Sequence, residues 1–392
     1  MTRRSGFLWG LVAGALAAVG AASLVIALNG GLGGPDDRSA QAIALIEENY
    51  FKPVDESRLE GLSVSQMVEL LRRRHDDRFS HYFDPEALED FNASTSGEFS
   101  GVGLTVSEVK RGLRVASVLP DSPAKEAGLD EGDLIVAVDG KTIAGQPAEV
   151  STARIKGPPG TEVQIRLVPA AGGDTRELTL ERADVRVPAV DGEIRRIDGP
   201  GSPRVAYVRF ATFSEGAHGD LRETVERLYR QGAEGLVLDL RGNGGGLLNE
   251  AVLSASIFVE DGVVVSTDSR SEGETNYEAV GAAIDPRPMV VLVNNDTASA
   301  AEILAAALDE YDLATLVGVP SFGKGTFQEV IGLEAGGALD LTVGQYVTSE
   351  GVSLAGKGVE PDVRARDVSR TRPDEGLEGA LAALKEILGE GA

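Results

Sequence analysis

"PMVVLVNNDTASAAEILAAALDEYDLATLVGV", residues 288 to 319, decides the fold. An apolar run from Met289 to Val293 breaks at a polar Asn-Asn-Asp-Thr turn. A helical pattern follows from about Ser299, and a second apolar run ends at Val319. Neither run alternates with polar residues, which is the pattern of strands covered by helices on both faces. The same order occurs twice upstream. "VAYVRFATF" (205–213) leads into "LRETVERLYRQG", and "GLVLDLRG" (235–242) into "LLNEAVLSASIFV". From about residue 184 the chain therefore reads as an α/β core.

The stretch also carries chemistry. A helix from Ser299 to about Tyr311 spans roughly 20 Å, and the six residues "ATLVGV" return roughly the same distance as a strand. Lys324, in "FGKGTFQ" (322–328), is thus within reach of Ser299. A serine hydroxyl becomes a strong nucleophile only when a base takes its proton. His218 is the one histidine of this core, and it lies in the polar stretch "SEGAHGD". A lysine serves instead if burial lowers its pKa by roughly three units. Gln328, four residues on, falls on the same face and offers a neutral amide to orient the amine. For a developing oxyanion, the glycines of "DLRGNGGG" (239–246) present backbone N–H groups after a buried strand. The amide of Ala300 at the helix N-terminus is a second donor. Plainer readings of the same residues exist: Ser299 as a helix cap, Gly-Lys-Gly as a solvated turn, and the glycine stretch as a tight turn.

Upstream, the period changes. "LRVASV" and "TEVQIRLV" alternate like half-buried strands. Between them lie a short capped helix in "PDSPAKEAGL" and a strand in "GDLIVAVDG". This compact, mostly β unit follows two helical patterns, "AQAIALIEENYF" and "LSVSQMVELLRRRH". Ahead of them, Arg3 and Arg4 precede an uncharged run from Phe7 to Leu28. As a helix of about 33 Å it is long enough for a bilayer core of about 30 Å. It reads as a retained signal anchor, with a cleaved secretory signal as the alternative. The basic flank puts the rest of the chain outside the cytoplasm.

The 392 residues carry a formal net charge of -25, and no basic run offsets it, so nucleic acid is not an expected partner. With no cysteine, disulfides, thiolate catalysis and cysteine zinc sites are excluded.

These segments together resemble the carboxy-terminal processing proteases, the tail-specific serine peptidases with a PDZ domain and a Ser–Lys site. The likeness rests on "VLDLRGNGGGLL", "VLVNNDTASAAEILAAAL", "LVGVPSFGKGTFQEV" and "LTVGQYVTSEGVSLAGKGVEPDV", in that order. "FSGVGLTV" with "VLPDSPAKEAGLDEGDLIVAVDGKTIAG" resembles the family's PDZ domain. By that resemblance Ser299 is the nucleophile, Lys324 the general base and Gln328 the residue that orients it. Gly245 and Ala300 line the oxyanion site, although the chain has Gly244 where the family usually has proline. Gly101, Val102, Gly103 and Leu104 present amides to a C-terminal carboxylate, beside a strand edge that accepts an extended peptide. The resemblance further implies an α/β core of crotonase-like (ββα) type with the PDZ domain inserted ahead of it.

The expected organisation is an anchor and linker over 1–34, a helical N-terminal region over 35–97 and a PDZ domain over 98–183. The peptidase core covers 184–365 and a helical tail 366–392. The expected protein is a single-pass membrane serine endopeptidase, extracytoplasmic, whose partners are protein or peptide C-termini, with no metal or cofactor. Homo-oligomers or an adaptor stay open. So do two other classes: a catalytically silent PDZ scaffold, and a crotonase-like acyl-transfer enzyme acting on thioesters.

Overall fold

The computed structural model describes residues 35–390, apart from 97, 120, 147, 187, 198–201 and 367–373. The expected membrane anchor lies outside these residues, and among those described no helix is long and apolar enough to cross a membrane. The chain forms two compact units, one from residues 93–188 and one from the flanking segments before and after it.

The larger unit begins with α1 (Pro35–Asn49) and α2 (Val64–His75). Helix α2 opens on a capping box in which the Ser63 amide donates to Gln66 Oε1 at 3.0 Å. A short strand, β1 (His81–Phe83), and helix α3 (Pro85–Ser96) follow.

The smaller unit starts at β2 (Glu98–Gly101), β3 (Leu104–Val109) and β4 (Gly112–Val118). Helix α4 (Pro123–Glu126) has Ser122 as its cap, in extended backbone. Then come β5 (Leu134–Val138), β6 (Lys141–Thr142), α5 (Ala148–Ile155), β7 (Glu162–Val168), β8 (Arg176–Glu181) and β9 (Ala183–Arg186). The strand order is β3-β4-β5-β7-β8 with β6 on β5, and β2 pairs with β9 separately. The alternation seen in "TEVQIRLV" puts Val163, Ile165 and Leu167 inside, with Leu113, Ile135 and Leu129. This unit has a core of its own.

The chain then returns to the larger unit through β10 (Val190–Arg196), β11 (Arg204–Phe210), α6 (Ala217–Arg230), β12 (Gly235–Asp239) and α7 (Leu248–Ala255). A hairpin of β13 (Val263–Ser269) and β14 (Gly273–Glu278) precedes β15 (Met289–Val293), α8 (Ala300–Glu310) and β16 (Thr315–Gly318). The final elements are β17 (Thr326–Gly332), β18 (Ala338–Thr348), β19 (Val363–Arg364) and α9 (Glu375–Glu390).

One sheet has the order β10-β11-β12-β15-β16-β19, parallel from β11 onward. Both faces are buried, as the unbroken apolar runs require. Val290 and Leu292 face Leu377, Ala380 and Leu384 of α9, whereas Val291 and Val293 join the core with α6, α7 and α8. The second sheet runs β1-β18-β13-β14, with β17 also on β18. Here α1 and α2 are integral. Ile46, Tyr50, Met67 and Leu71 pack with Leu339, Leu341 and Val343 of β18 in one buried cluster.

Candidate active site

In a parallel sheet, neighbouring strands release their following loops at the same edge, where ligands bind. Strands β12 and β15 are such neighbours. The loops after them are tied together: the Ala298 amide donates to the Asn243 carbonyl at 2.9 Å, the Gly242 amide to Asn294 Oδ1 at 3.1 Å. Thr297 Oγ1 donates to the Leu240 carbonyl at 2.9 Å. Thr297 is thus a buried strut between the loops.

Ser299 ends the second loop with φ 57° and ψ -121°. A capping serine takes extended backbone, as Ser63 and Ser122 do here. Ser299 does not, and a non-glycine residue held there stores about 1–3 kcal/mol of strain. A strained serine between a strand and a helix is the arrangement that presents a nucleophile. Ser299 is 6% exposed, and its side chain meets the hydroxyl of buried Tyr346.

The residue that joins the site is Glu302, in the first turn of α8 and fully buried. Its Oε2 accepts the Ser299 amide at 2.8 Å and the Lys324 amide at 2.9 Å. Its Oε1 accepts Ser321 Oγ at 2.5 Å and the Gly323 amide at 2.7 Å. One carboxylate oxygen therefore holds the backbone of both Ser299 and Lys324, putting the two amide nitrogens within about 6 Å of each other. No role was read for Glu302 from the sequence; its signal was the Ser-x-x-Glu spacing of a capping box.

Lys324 lies in the loop between β16 and β17. The glycines beside it are there for close approach. A Cβ on Gly325 would run into the Ala355 backbone nitrogen, and one on Gly323 would sit 3.1 Å from the Gly358 amide. Lys324 Nζ lies 4.9 Å from the centre of the Phe79 ring. Burial holds the amine below the usual lysine range, against the pull of Asp340 and Glu302, which favour its charged form. Asp340 is itself pushed up to about 6 by burial, with His81 and Lys324 opposing.

Gln328 stands on β17, where a register shift separates it from Phe327. Its Nε2 donates to Thr342 Oγ1 at 3.3 Å and weakly to Thr326 Oγ1 at 3.5 Å, and no hydrogen bond joins it to Lys324. Thr342 donates to Asp77 Oδ1 at 3.0 Å, while Ser80 Oγ and the Tyr50 hydroxyl donate to Asp77 Oδ2 at 2.5 and 3.1 Å. Burial pushes the Asp77 carboxyl up, but bonds from Ser80, Phe79 and Thr342 outweigh it and leave it below the usual range. Phe79, Asp77 and Tyr50 reach the site from the N-terminal segment, and nothing local in the sequence marks them.

Gly245, at φ 99°, packs against Ser299: a Cβ there would meet the Ser299 Cβ at 2.8 Å and the Ala300 nitrogen at 3.0 Å. Its own amide donates to Asn243 Oδ1 at 2.9 Å. The Ala300 amide opens α8 and has no acceptor among the described residues. In the smaller unit Gly101 pairs with Ala183, and Val102 and Gly103 form the turn into β3, which Leu104 begins. Strand β3 pairs only with β4 among the described strands, so its outer edge is open.

Comparison with known proteins bears on both units. The family description "Peptidase family S41" matches residues 204–365, and a PDZ domain matches 114–169. The carboxy-terminal processing protease CtpA of Bacillus subtilis (strain 168) is 32% identical over 330 residues, covering 84% of this chain and 68% of that protein. The carboxy-terminal-processing protease of Bartonella bacilliformis is 34% identical over 324 residues, 81% of this chain and 72% of that one. Among solved structures, a photosystem II D1 C-terminal processing protease superposes with a TM-score of 0.55 at 31% identity, over 89% of this chain and 96% of that one. A putative S41 protease from Bacteroides fragilis shares the fold, with a TM-score of 0.59 at 20% identity, over 90% and 97% of the two chains.

Fold and site together define a serine peptidase equipped with a PDZ domain. The chain belongs to peptidase family S41, among the carboxy-terminal processing proteases. The silent-scaffold and thioester readings give way to that assignment.

Proposed function

We propose that this peptidase cuts by a Ser299–Lys324 mechanism and that its catalytic part works outside the cytoplasm on a membrane anchor. The observation that carries the mechanism is the shared carboxylate. Glu302 Oε2 binds the amides of both residues, in a site that burial keeps hostile to a charged lysine. Neutral Lys324 Nζ takes the proton from Ser299 Oγ as that oxygen attacks the scissile carbonyl carbon. The oxyanion meets the Ala300 amide and an amide of the 244–246 loop. The ammonium of Lys324 then protonates the leaving nitrogen, the C–N bond breaks, and an acyl-enzyme remains. Water, deprotonated by Lys324, attacks the acyl carbon; the ester C–O bond then breaks and Lys324 returns the proton to Ser299 Oγ.

Two adjustments lead from the arrangement described to that chemistry. The Gly245 amide leaves Asn243 Oδ1, or Gly244 or Gly246 donates in its place. The Gln328 amide turns from Thr342 to the lysine. The open edge of β3 supports capture of a substrate C-terminus by strand addition, ending at the turn of residues 101–104. The crotonase-like description of the core belongs to the same proposal, supported by the parallel run of β11, β12, β15 and β16. The anchor rests on the Phe7–Leu28 run alone.

The test uses the full chain in detergent with an unfolded protein substrate ending in an apolar tail. Wild type is expected to cut it, and Ser299→Ala and Lys324→Ala to lose the activity by several orders of magnitude. Undiminished cleavage by either variant would sink the mechanism. Fractionation with membranes that disappears when residues 1–34 are removed tests the anchor.

A further inference from the structure

Phe322 is the only aromatic among the large apolar side chains exposed in the described residues, at 53%. Exposed apolar area adds nothing to folding stability, so packing does not account for the ring. Nor is it carried on a loose loop. The Phe322 amide donates to the Thr297 carbonyl at 2.9 Å. On its two sides, Ser321 Oγ and the Gly323 amide are both held by Glu302 Oε1. Ser321 is fixed a second time, since its amide donates to the Val359 carbonyl at 3.1 Å and its Oγ accepts the Val359 amide at 2.7 Å.

The backbone of Phe322 therefore stands between the two halves of the site. It is bonded to the residue two before Ser299 and lies two before Lys324. An extended peptide advances about 3.3 Å per residue. A carbonyl placed for attack by Ser299 thus puts the residues next to the cut within a few residue lengths of the Phe322 backbone.

We propose that Phe322 is a specificity-determining residue, forming an apolar subsite for a side chain adjoining the scissile bond. The proposal rests on the Ser299–Lys324 reading above and adds the chemistry of the residue preferred at the cut. Pre-set exposure favours this role, because the ring is already available for an apolar substrate side chain to cover.

The experiment uses the full-length protein and a set of peptides sharing one C-terminal tail, so that capture of the tail is constant. The residue on each side of the cut is changed in turn among Leu, Ala, Ser and Gly. Wild type is expected to favour Leu over Ser or Gly by about tenfold or more in kcat/KM on one side of the cut, the range open to an apolar pocket. Phe322→Ala should flatten that preference to within about twofold, chiefly by lowering kcat/KM for the Leu peptide. Phe322→Leu should restore most of it. Thermal unfolding of Phe322→Ala should match wild type, as the ring is exposed. A wild type without the preference, or a Phe322→Ala variant that keeps it, overturns the subsite. Ser299→Ala run beside them separates the two claims: cleavage surviving in that variant removes the Ser–Lys reading and the subsite with it. Cleavage abolished in Ser299→Ala, with an unaltered preference in Phe322→Ala, removes the subsite alone.

Discussion

At the scale of single residues, the protonation of Lys324 is the quantity on which the proposed chemistry turns. Burial lowers its pKa, and the negative charge of Asp340 raises it again. Asp340 is ionised only above about pH 6, because burial raises its own pKa to about 6. Its effect on the lysine therefore switches on as pH passes that value. The other charges facing the amine are Glu302, on α8, and, beyond Asp340, His81 on β1 and Asp77. Activity is expected to rise with pH as the amine loses its proton. Asp340→Asn removes an anion that favours the ammonium, so its rising limb should lie at lower pH than in wild type. The variant should be a few-fold more active near neutral pH and indistinguishable below about pH 5. A pH profile of kcat/KM for both proteins checks this; coincident profiles would remove Asp340 from the account.

At the scale of elements, Glu302 is the fastening between α8 and the loop before β17. Four donors converge on it: three amides and one hydroxyl. A carboxylate accepts at both oxygens, whereas a glutamine turns an NH2 toward donors at one of them. Glu302→Gln should therefore cost about 2–4 kcal/mol of stability. Because it also releases the lysine backbone from the serine, kcat/KM should fall by about a hundredfold or more in protein that is still folded. Ser321→Ala, which removes only one donor, serves as the milder comparison. Denaturant titration and kinetics on the same preparations distinguish the two effects. Full activity in folded Glu302→Gln would show that the fastening does not set the geometry.

At the scale of the whole molecule, the N-terminal segment and the smaller unit are expected to behave in opposite ways. Residues 35–83 complete the second sheet through β1 and bury Ile46, Met67 and Leu71 against β18. They also bring Phe79 to the lysine. Removing them exposes an apolar face and leaves the Thr342 side of the polar chain without Asp77, so the shortened protein is expected to be insoluble or unfolded. Residues 93–188, with a separate buried core, should fold alone and unfold in one cooperative transition by circular dichroism. A soluble, active protein lacking 35–83 would contradict the first expectation.

Much of this was legible in the sequence, for a physical reason. The period of apolar residues reports local geometry, so the strands and helices around Met289–Val319 were read close to where β15, α8 and β16 lie. The serine and the lysine stood out as candidates because the proposed chemistry restricts those residue types, and Glu302 brings their backbones together, with glycines at the close approaches. Tertiary structure alone decided the rest. The bond from Thr342 to Asp77 joins residues 265 apart, and no local pattern encodes such a pair. The same holds for Phe79 over Lys324, and for the side chains that Gly245 and Gln328 contact. The positive φ of Ser299, which separates it from an ordinary cap, is imposed by the two loops tied around it. Local propensity determines which elements form; the meeting of distant elements determines what their ends can do.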